Sequence, residues 1–133
     1  MDRPLHRVGF DDWRAALIGE KVDGVMVLGF QAPLSFLNTN DFRRGVLERI
    51  ERASRPLKLV VLEASSIVEI DFTAGEALAE AIRRTGDRGI VFAIARLESL
   101  RAQKTLQRLG IVDLVRPDRV FHSVQEAIDK LVP

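Results

Sequence analysis

The sequence predicts an α/β fold in which a mixed, mostly parallel sheet of four to five strands is flanked by about four helices. Three apolar stretches, each of a length typical of a buried strand, alternate with stretches whose apolar residues recur at helical spacing. Near-continuous apolar strands between helices are typical of parallel sheets that helices cover. The three apolar stretches are GVMVLGF (24–30), LKLVVLE (57–63) and GIVFAIA (89–95).

Composition and charge exclude several classes of protein. The chain has 133 residues, which suits one domain, and its formal net charge of +1 gives no bulk attraction to nucleic acid or to an anionic membrane. It contains no cysteine, which removes disulfides and cysteine-ligated zinc. No apolar run approaches the roughly 20 residues of a membrane-spanning helix, and the N-terminus lacks the apolar region of a signal peptide. We expect a soluble domain without a nucleic-acid partner, a cofactor or a metal.

The first half of the chain contains two weaker elements and one clear helix. DDWRAALIGE (11–20) favours a short helix, and LSF (34–36) favours a short strand after the bend at Pro33. A helix is predicted from Asn40 until shortly before Pro56, because apolar residues recur there at helical spacing. Those apolar residues are Phe42, Val46, Ile50 and Ala53. Three adjacent residues are candidate N-caps for this helix: Asn38, Thr39 and Asn40.

The last third predicts a helix, an edge strand and a final helix. Residues 98–109 have a helical pattern, and Gly110 is placed to end that helix in a left-handed conformation. VF (120–121) is expected to be a short edge strand. Ser123 and Glu126 have the spacing of a capping box, which predicts the start of the final helix. The apolar face of that helix is formed by Val124, Ala127, Ile128 and Leu131.

The stretch EIDFTAGEAL (69–78) marks a corner between the second apolar strand and a helix that runs to about residue 86. Asp71 is placed to cap this helix, and Thr73 with Glu76 also has capping-box spacing, so either residue or both can serve as the cap. The helix start directs its positive dipole end at the carboxyl edge of the sheet, where open α/β sheets bind ligands. Chemistry alone therefore favours a cap, with an interaction or anion site as the second interpretation.

The sequence contains none of the common catalytic motifs. The sequence has no phosphate-binding glycine loop, no GxGxxG after a strand, no HExxH and no GxSxG. Its two histidines, His6 and His122, lie near opposite ends of the chain, and Glu63 and Asp71 are acids at predicted strand ends. The stretch QAPL (31–34) after the first strand contains no acid, so the acidic pair of a phospho-acceptor receiver domain is not formed. Arginines in the first long helix alternate with acids, which indicates a solvated face. We therefore expect a non-enzymatic protein.

Two motifs carry a resemblance to a known family. QAPLSFLNTNDF (31–42) and VVLEASSIVEIDFTAGEAL (60–78) resemble, in order, the two characteristic segments of a SulP-type STAS domain, and LQRLGIVDLV (106–115) is similar to the third helix of that family. The STAS fold is shared by anti-sigma-factor antagonists and the cytoplasmic part of SulP anion transporters. The likeness covers about residues 22–132, so we expect a linker-like segment at 1–21 and a STAS domain at 22–133. The matching residues in the first motif are Ala32, Pro33, Leu34, Phe36 and Asn38.

The corner separates the two branches of the family. In the antagonists, the residue after the aspartate is a serine that takes a phosphoryl group, but here that position is Phe72, which has no hydroxyl. Thr73 matches the next position and is the phosphorylation candidate that remains, although its geometry would differ. Ala74 stands in place of the family's glycine. The resemblance therefore favours the SulP branch.

The SulP resemblance implies a non-catalytic regulatory and assembly domain of a secondary anion transporter for sulfate, bicarbonate or a related anion. It implies a place at the cytoplasmic face of the inner (plasma) membrane and, as partners, the membrane domain of the same transporter, a second copy or a cytosolic regulatory protein. The expected site for a partner, an anion or a nucleotide is the corner formed by Asp71, Phe72, Thr73, Ala74 and Gly75. The alternatives are a free-standing antagonist-like regulator and a nucleotide-binding module.

Overall fold

In the part of the chain that the structure describes, a five-stranded sheet forms the centre. The computed structural model describes residues 13–17, 24–30, 39–53 and 56–132. The strands lie in sequence order across the sheet, with the first strand antiparallel to the second and all other neighbours parallel. The predicted mixed, mostly parallel sheet is confirmed. Its strands are β1 (Trp13–Leu17), β2 (Val25–Phe30), β3 (Leu59–Glu63), β4 (Val91–Ala95) and β5 (Val120–Phe121).

The helices cover the sheet unequally. Because parallel crossovers are right-handed and β2 to β5 follow one another in one direction, the helices between these strands all pack on the same face. The last helix crosses the other face and packs against β3, β4 and β5. The helices are α1 (Thr39–Glu51), α2 (Phe72–Asp87), α3 (Leu100–Arg108), α4 (Ile111–Val115) and α5 (Val124–Leu131).

Burial on both faces explains the apolar runs in the sequence. In β3, Val60 and Leu62 belong to the core under the first four helices, whereas Leu59 and Val61 belong to the core under α5. Successive side chains of a strand point to opposite faces, so a strand covered twice needs an apolar residue at every position. Among the described residues, no helix has both the length and the apolar character needed to cross a bilayer.

One predicted element in the N-terminal part is wrong. Residues 13–17, expected in a short helix, form β1, which pairs with β2 from Trp13 opposite Phe30 to Leu17 opposite Met26. A helix of this length is marginal by itself, and pairing with β2 satisfies the backbone of these residues instead. The predicted strand at 34–36 and the candidate cap Asn38 lie outside the described residues. The boundary between residues 21 and 22 stays a prediction.

The later elements follow the predictions with two differences. Gly110 is left-handed, with φ of +76°, and ends α3 as expected. The apolar stretch IVDLV, to which the sequence assigned no element, is the short helix α4. Ser123 caps α5 by accepting a hydrogen bond from the Glu126 amide, but the Glu126 carboxylate accepts from the His122 amide rather than from the amide of Ser123. The capping box is therefore only half formed.

Candidate functional site

The segment between β3 and α2 lies at the carboxyl edge of the sheet and is fixed by backbone contacts. The amide of Ala64 donates to the carbonyl oxygen of Ala95 at 2.8 Å, and the amide of Ile67 donates to the carbonyl oxygen of Ala64 at 3.1 Å. The side chains of Ile67 and Ile70 are buried in the core. Between these two buried side chains, Val68 and Glu69 face solvent.

Asp71 is the cap of α2. Its backbone is extended, and its Oδ1 atom accepts a hydrogen bond from the amide of Ala74 at 2.8 Å. Thr73 is exposed at the second position of the helix, so the expectation that it shares the cap is wrong. The Asp71 carboxylate already uses the positive end of the α2 dipole. A capping carboxylate repels a second anion, and this argues for protein docking rather than anion binding at the corner.

The buried side of the corner lies against the end of α3. Ala74 and Gly75 are buried, and a methyl group added to Gly75 would overlap the Cδ1 atom of Leu109. Glycine at this position therefore allows the first turn of α2 to approach α3 closely. The corner and the end of α3 form one packed unit.

The start of α3 also holds the corner segment. The Ser99 hydroxyl donates to the carbonyl oxygen of Val68 at 2.7 Å and accepts from the Ala102 amide at 3.2 Å, so one side chain caps α3 and ties down the loop. Arg101 forms an ion pair with Glu69 across the same junction. This pair is exposed, so its contribution to stability is small, about 0–1 kcal/mol.

The solvent side of the corner is apolar. Val68 is 50% exposed, Phe72 is 63% exposed and Leu100 is 70% exposed, and they are the exposed large hydrophobic residues of the described part of the chain. All three lie at the carboxyl edge, in the corner segment or at the first position of α2 or α3. Exposed apolar residues gathered at one edge mark an interaction surface more often than single scattered ones do. We name Val68, Phe72 and Leu100 the apolar corner.

The charges beside the corner are paired. Glu63, at the end of β3 with a side chain only 15% exposed, pairs with Arg96 at 3.3 Å, and Arg96 also lies 3.6 Å from Glu98. Arg96 has a left-handed backbone, with φ of 59°, which turns the chain sharply at the end of β4. A cavity of about 350 Å³ adjoins it and is lined in part by Phe121 and His122. Its arginine is neutralised by two carboxylates, which disfavours a phosphate-bearing ligand.

The structure places the predicted site residues in two groups. The five corner residues from Asp71 to Gly75 form one helix start, with Phe72 and Thr73 exposed and Ala74 and Gly75 buried. The motif-matching loop residues Pro33, Leu34, Phe36 and Asn38 lie outside the described residues. Sequence reasoning missed Val68, Ser99 and Leu100. Leu100 was detectable, because it falls off the apolar stripe of α3, which is formed by Ala102 and Leu106.

The chain is similar in sequence to part of a longer known protein. A protein described as a "Probable sulfate transporter" from Mycobacterium tuberculosis (strain ATCC 25618 / H37Rv) is 37% identical over 123 residues, covering 89% of this chain and 20% of that protein. The chain therefore spans only that small share of the curated relative. The similarity therefore says nothing about the function of the other 80% of that protein.

Solved structures share the architecture. A sulfate transporter family protein from Wolinella succinogenes has a TM-score of 0.70 at 21% identity, covering 81% of this chain and 84% of that one. An anti-sigma factor antagonist from Mycobacterium paratuberculosis has a TM-score of 0.71 at 11% identity, covering 93% and 97%. At these identities the two structures show a shared fold and nothing more specific. The sequence model of the STAS domain matches residues 17–127, and the chain belongs to the STAS domain family.

Proposed function

We propose that this chain is the cytoplasmic regulatory and assembly domain of a SulP-type anion transporter, and that it docks through its apolar corner. The observation that carries the proposal is the exposure of Val68, Phe72 and Leu100 on a segment that is otherwise firmly held. A rigid edge with an apolar surface loses little conformational entropy when a partner covers it. The likeness to a sulfate transporter supports the membrane domain of the same transporter as that partner.

A non-catalytic role fits the chemistry of the edge. The Asp71 carboxylate caps a helix, the Ser99 hydroxyl bridges two elements, and Glu63 is paired with Arg96. Polar groups committed to structural contacts are poor candidates for general acid, general base or nucleophile. Phosphorylation of Thr73 stays a prediction, and its exposed hydroxyl makes it testable by mass spectrometry of the protein from its native cells.

The first experiment determines the complete reading frame that contains the chain. We expect the same frame to encode apolar segments of roughly 20 residues, each long enough to cross a bilayer. A frame that encodes only this domain would overturn the transporter assignment and favour the free-standing antagonist-like regulator. Titration with guanine nucleotide tests the other alternative, and saturable binding below millimolar concentration would support it.

The second experiment tests the corner in the complete transporter. Phe72→Ser and Val68→Ser are expected to lower uptake of labelled sulfate, while the amount of protein in the membrane stays the same. Gln125→Ser is the matched control, because Gln125 is exposed at the second position of α5. Wild-type uptake by both corner variants would show that the corner does not dock.

A further inference from the structure

The cavity of about 350 Å³ beside Arg96 lies at the carboxyl ends of β4 and β5. Its apolar side chains are partly exposed, so they are open to a ligand, in contrast to the buried core beneath them. They come from the loop after β4, from α4 and from β5. They are Leu97, Val112, Val120 and Phe121. Concave sites with an apolar lining that solvent can reach are typical of small-molecule binding.

The topology of the sheet explains why a crevice opens here. After β4 the chain turns to α3, whose buried side chains join the core under the first four helices. After β5 it turns to α5, which lies on the other face of the sheet. Where the connections of two neighbouring parallel strands leave toward opposite faces, a crevice forms between the strand ends, and open α/β sheets bind ligands in such crevices. The cavity is lined by residues 96–98 after β4 and by residues 121–122 at the end of β5, so it occupies this crevice.

Two left-handed turns shape the walls of the crevice. Arg96 has φ of 59° and Arg116 has φ of 83°, and in the described part of the chain these are the non-glycine residues with positive φ. Arg96 lines the cavity, and Arg116 directly precedes the lining residue Pro117. A left-handed backbone is unfavourable for a residue with a side chain, and such residues cluster at ligand sites. The amide of Arg96 donates to the carbonyl oxygen of Phe121 at 3.0 Å, so the cavity is preformed.

The charges in the lining cancel. Arg96 and Glu98 both line the cavity, and the Nε atom of Arg96 lies 3.6 Å from a carboxylate oxygen of Glu98. The same guanidinium lies 3.3 Å from Glu63, a carboxylate at the end of β3. Because the arginine is already held by two carboxylates, the cavity favours an uncharged ligand over an anion.

The remaining polar groups of the lining suit an amide. Gln103 and Gln107 lie one turn apart on α3, and His122 follows β5. The Nε2 atom of Gln103 donates to the carbonyl oxygen of Leu97 at 2.7 Å, which leaves the side-chain oxygen of Gln103 to accept from a ligand. Among the described residues, the side chains of Gln107 and His122 have no hydrogen-bond partner in the protein. A carboxamide both donates and accepts, so its natural complement is a group that does the same.

We propose that this cavity binds a small uncharged amide with an apolar body, of which benzamide is a simple example. The amide of the ligand bonds with Gln103 and Gln107, and the apolar body packs on Phe121 and its neighbours. An engineered apolar cavity of about 150 Å³ accepts benzene, so this larger one has room for benzamide. The lining shares no residue with the apolar corner, and the inference does not depend on docking there.

Benzamide is the probe for the first test. Titrated into the isotope-labelled chain, it should shift the backbone amide signals of Leu97, Gln103 and His122. The shifts should saturate with a dissociation constant on the order of millimolar, the strength usual for a ligand of this size. Acetamide lacks the apolar body, and benzoate replaces the amide donor by a negative charge beside Glu98. We expect each to bind about fivefold or more weakly, because each keeps only one of the two kinds of contact.

Substitution of the polar lining provides the second test. Gln107→Leu and His122→Phe keep a side chain of similar size and remove its hydrogen bonding, and at least the first should weaken benzamide binding by about fivefold. Gln125→Leu is the matched control, because Gln125 is exposed on α5 and does not line the cavity. All three positions accept a surface change, and thermal unfolding would verify the fold. Absence of saturable shifts, equal binding of benzoate or acetamide, or wild-type affinity in Gln107→Leu would overturn the proposal.

Discussion

The starts of α2 and α5 carry the same cap but present different surfaces. Asp71 accepts from the amide three residues on at 2.8 Å, and Ser123 does the same at 3.0 Å. The next residue differs: Phe72 is 63% exposed, whereas Val124 is half-buried and packs on the core under α5. A cap motif therefore does not by itself mark a site. The exposed apolar residue beside the cap is the distinguishing feature.

The two helix starts also differ on their buried side. The fourth helical position is Gly75 in α2 and Ala127 in α5, and both are buried. Ala127 packs on the flat surface of the sheet, while Gly75 lies against the Leu109 side chain. The start of α2 therefore packs against the end of another helix, whereas the start of α5 packs against the sheet.

The largest expected effect on stability distinguishes Ile67, which anchors the corner in the core, from Val68 on the solvent side of the corner. Ile67→Ala should destabilise the protein by about 3 kcal/mol, because it leaves a cavity where a buried side chain was. Val68→Ala, at the next residue, should change stability by less than about 0.5 kcal/mol, since Val68 is half exposed. Urea unfolding measures both changes. Similar losses in the two variants would mean that Val68 is structural and not a docking residue.

A smaller effect tests the close approach of α2 to α3. Gly86→Ala should stabilise the protein by up to about 1 kcal/mol, because Gly86 is helical and nothing lies near an added methyl group. Gly75→Ala should be less stable than Gly86→Ala by about 1–2 kcal/mol, since Leu109 must move. Thermal unfolding of the two variants side by side gives the difference. Equal stabilisation would show that Leu109 yields at no cost and that glycine is not required.

The smallest effect tests whether the two caps are equivalent. Asp71→Ala and Ser123→Ala should each cost about 1 kcal/mol, because each leaves one helix amide without its acceptor. Asp71→Asn is the control, since asparagine caps a helix as well as aspartate does. Free energies of unfolding from urea titration check all three. A loss for Asp71→Ala well above that for Ser123→Ala would indicate that Asp71 holds more than its own helix.

The sequence predicted those features that depend on neighbouring residues. Asp71 and Ser123 were identified as caps because a cap and its amide lie three residues apart, and Gly110 was placed because a helix end has a local signature. β1 was missed because the choice between helix and strand for five residues depended on the free edge of β2. Val68 and Leu100 were missed because their exposure follows from how α3 meets the corner, which links residues about thirty positions apart.

The antiparallel direction of β1 has a consequence for docking. Trp13 is paired with Phe30, the last residue of β2, so the described chain begins at the carboxyl edge, the edge that carries the apolar corner. In a transporter with its membrane part upstream, the connection to that part would reach β1 at the same edge of the sheet as the corner. Covalent attachment through a short flexible linker gives an effective concentration on the order of millimolar. With such a linker, even a weak contact at Phe72 would be enough to keep the corner docked.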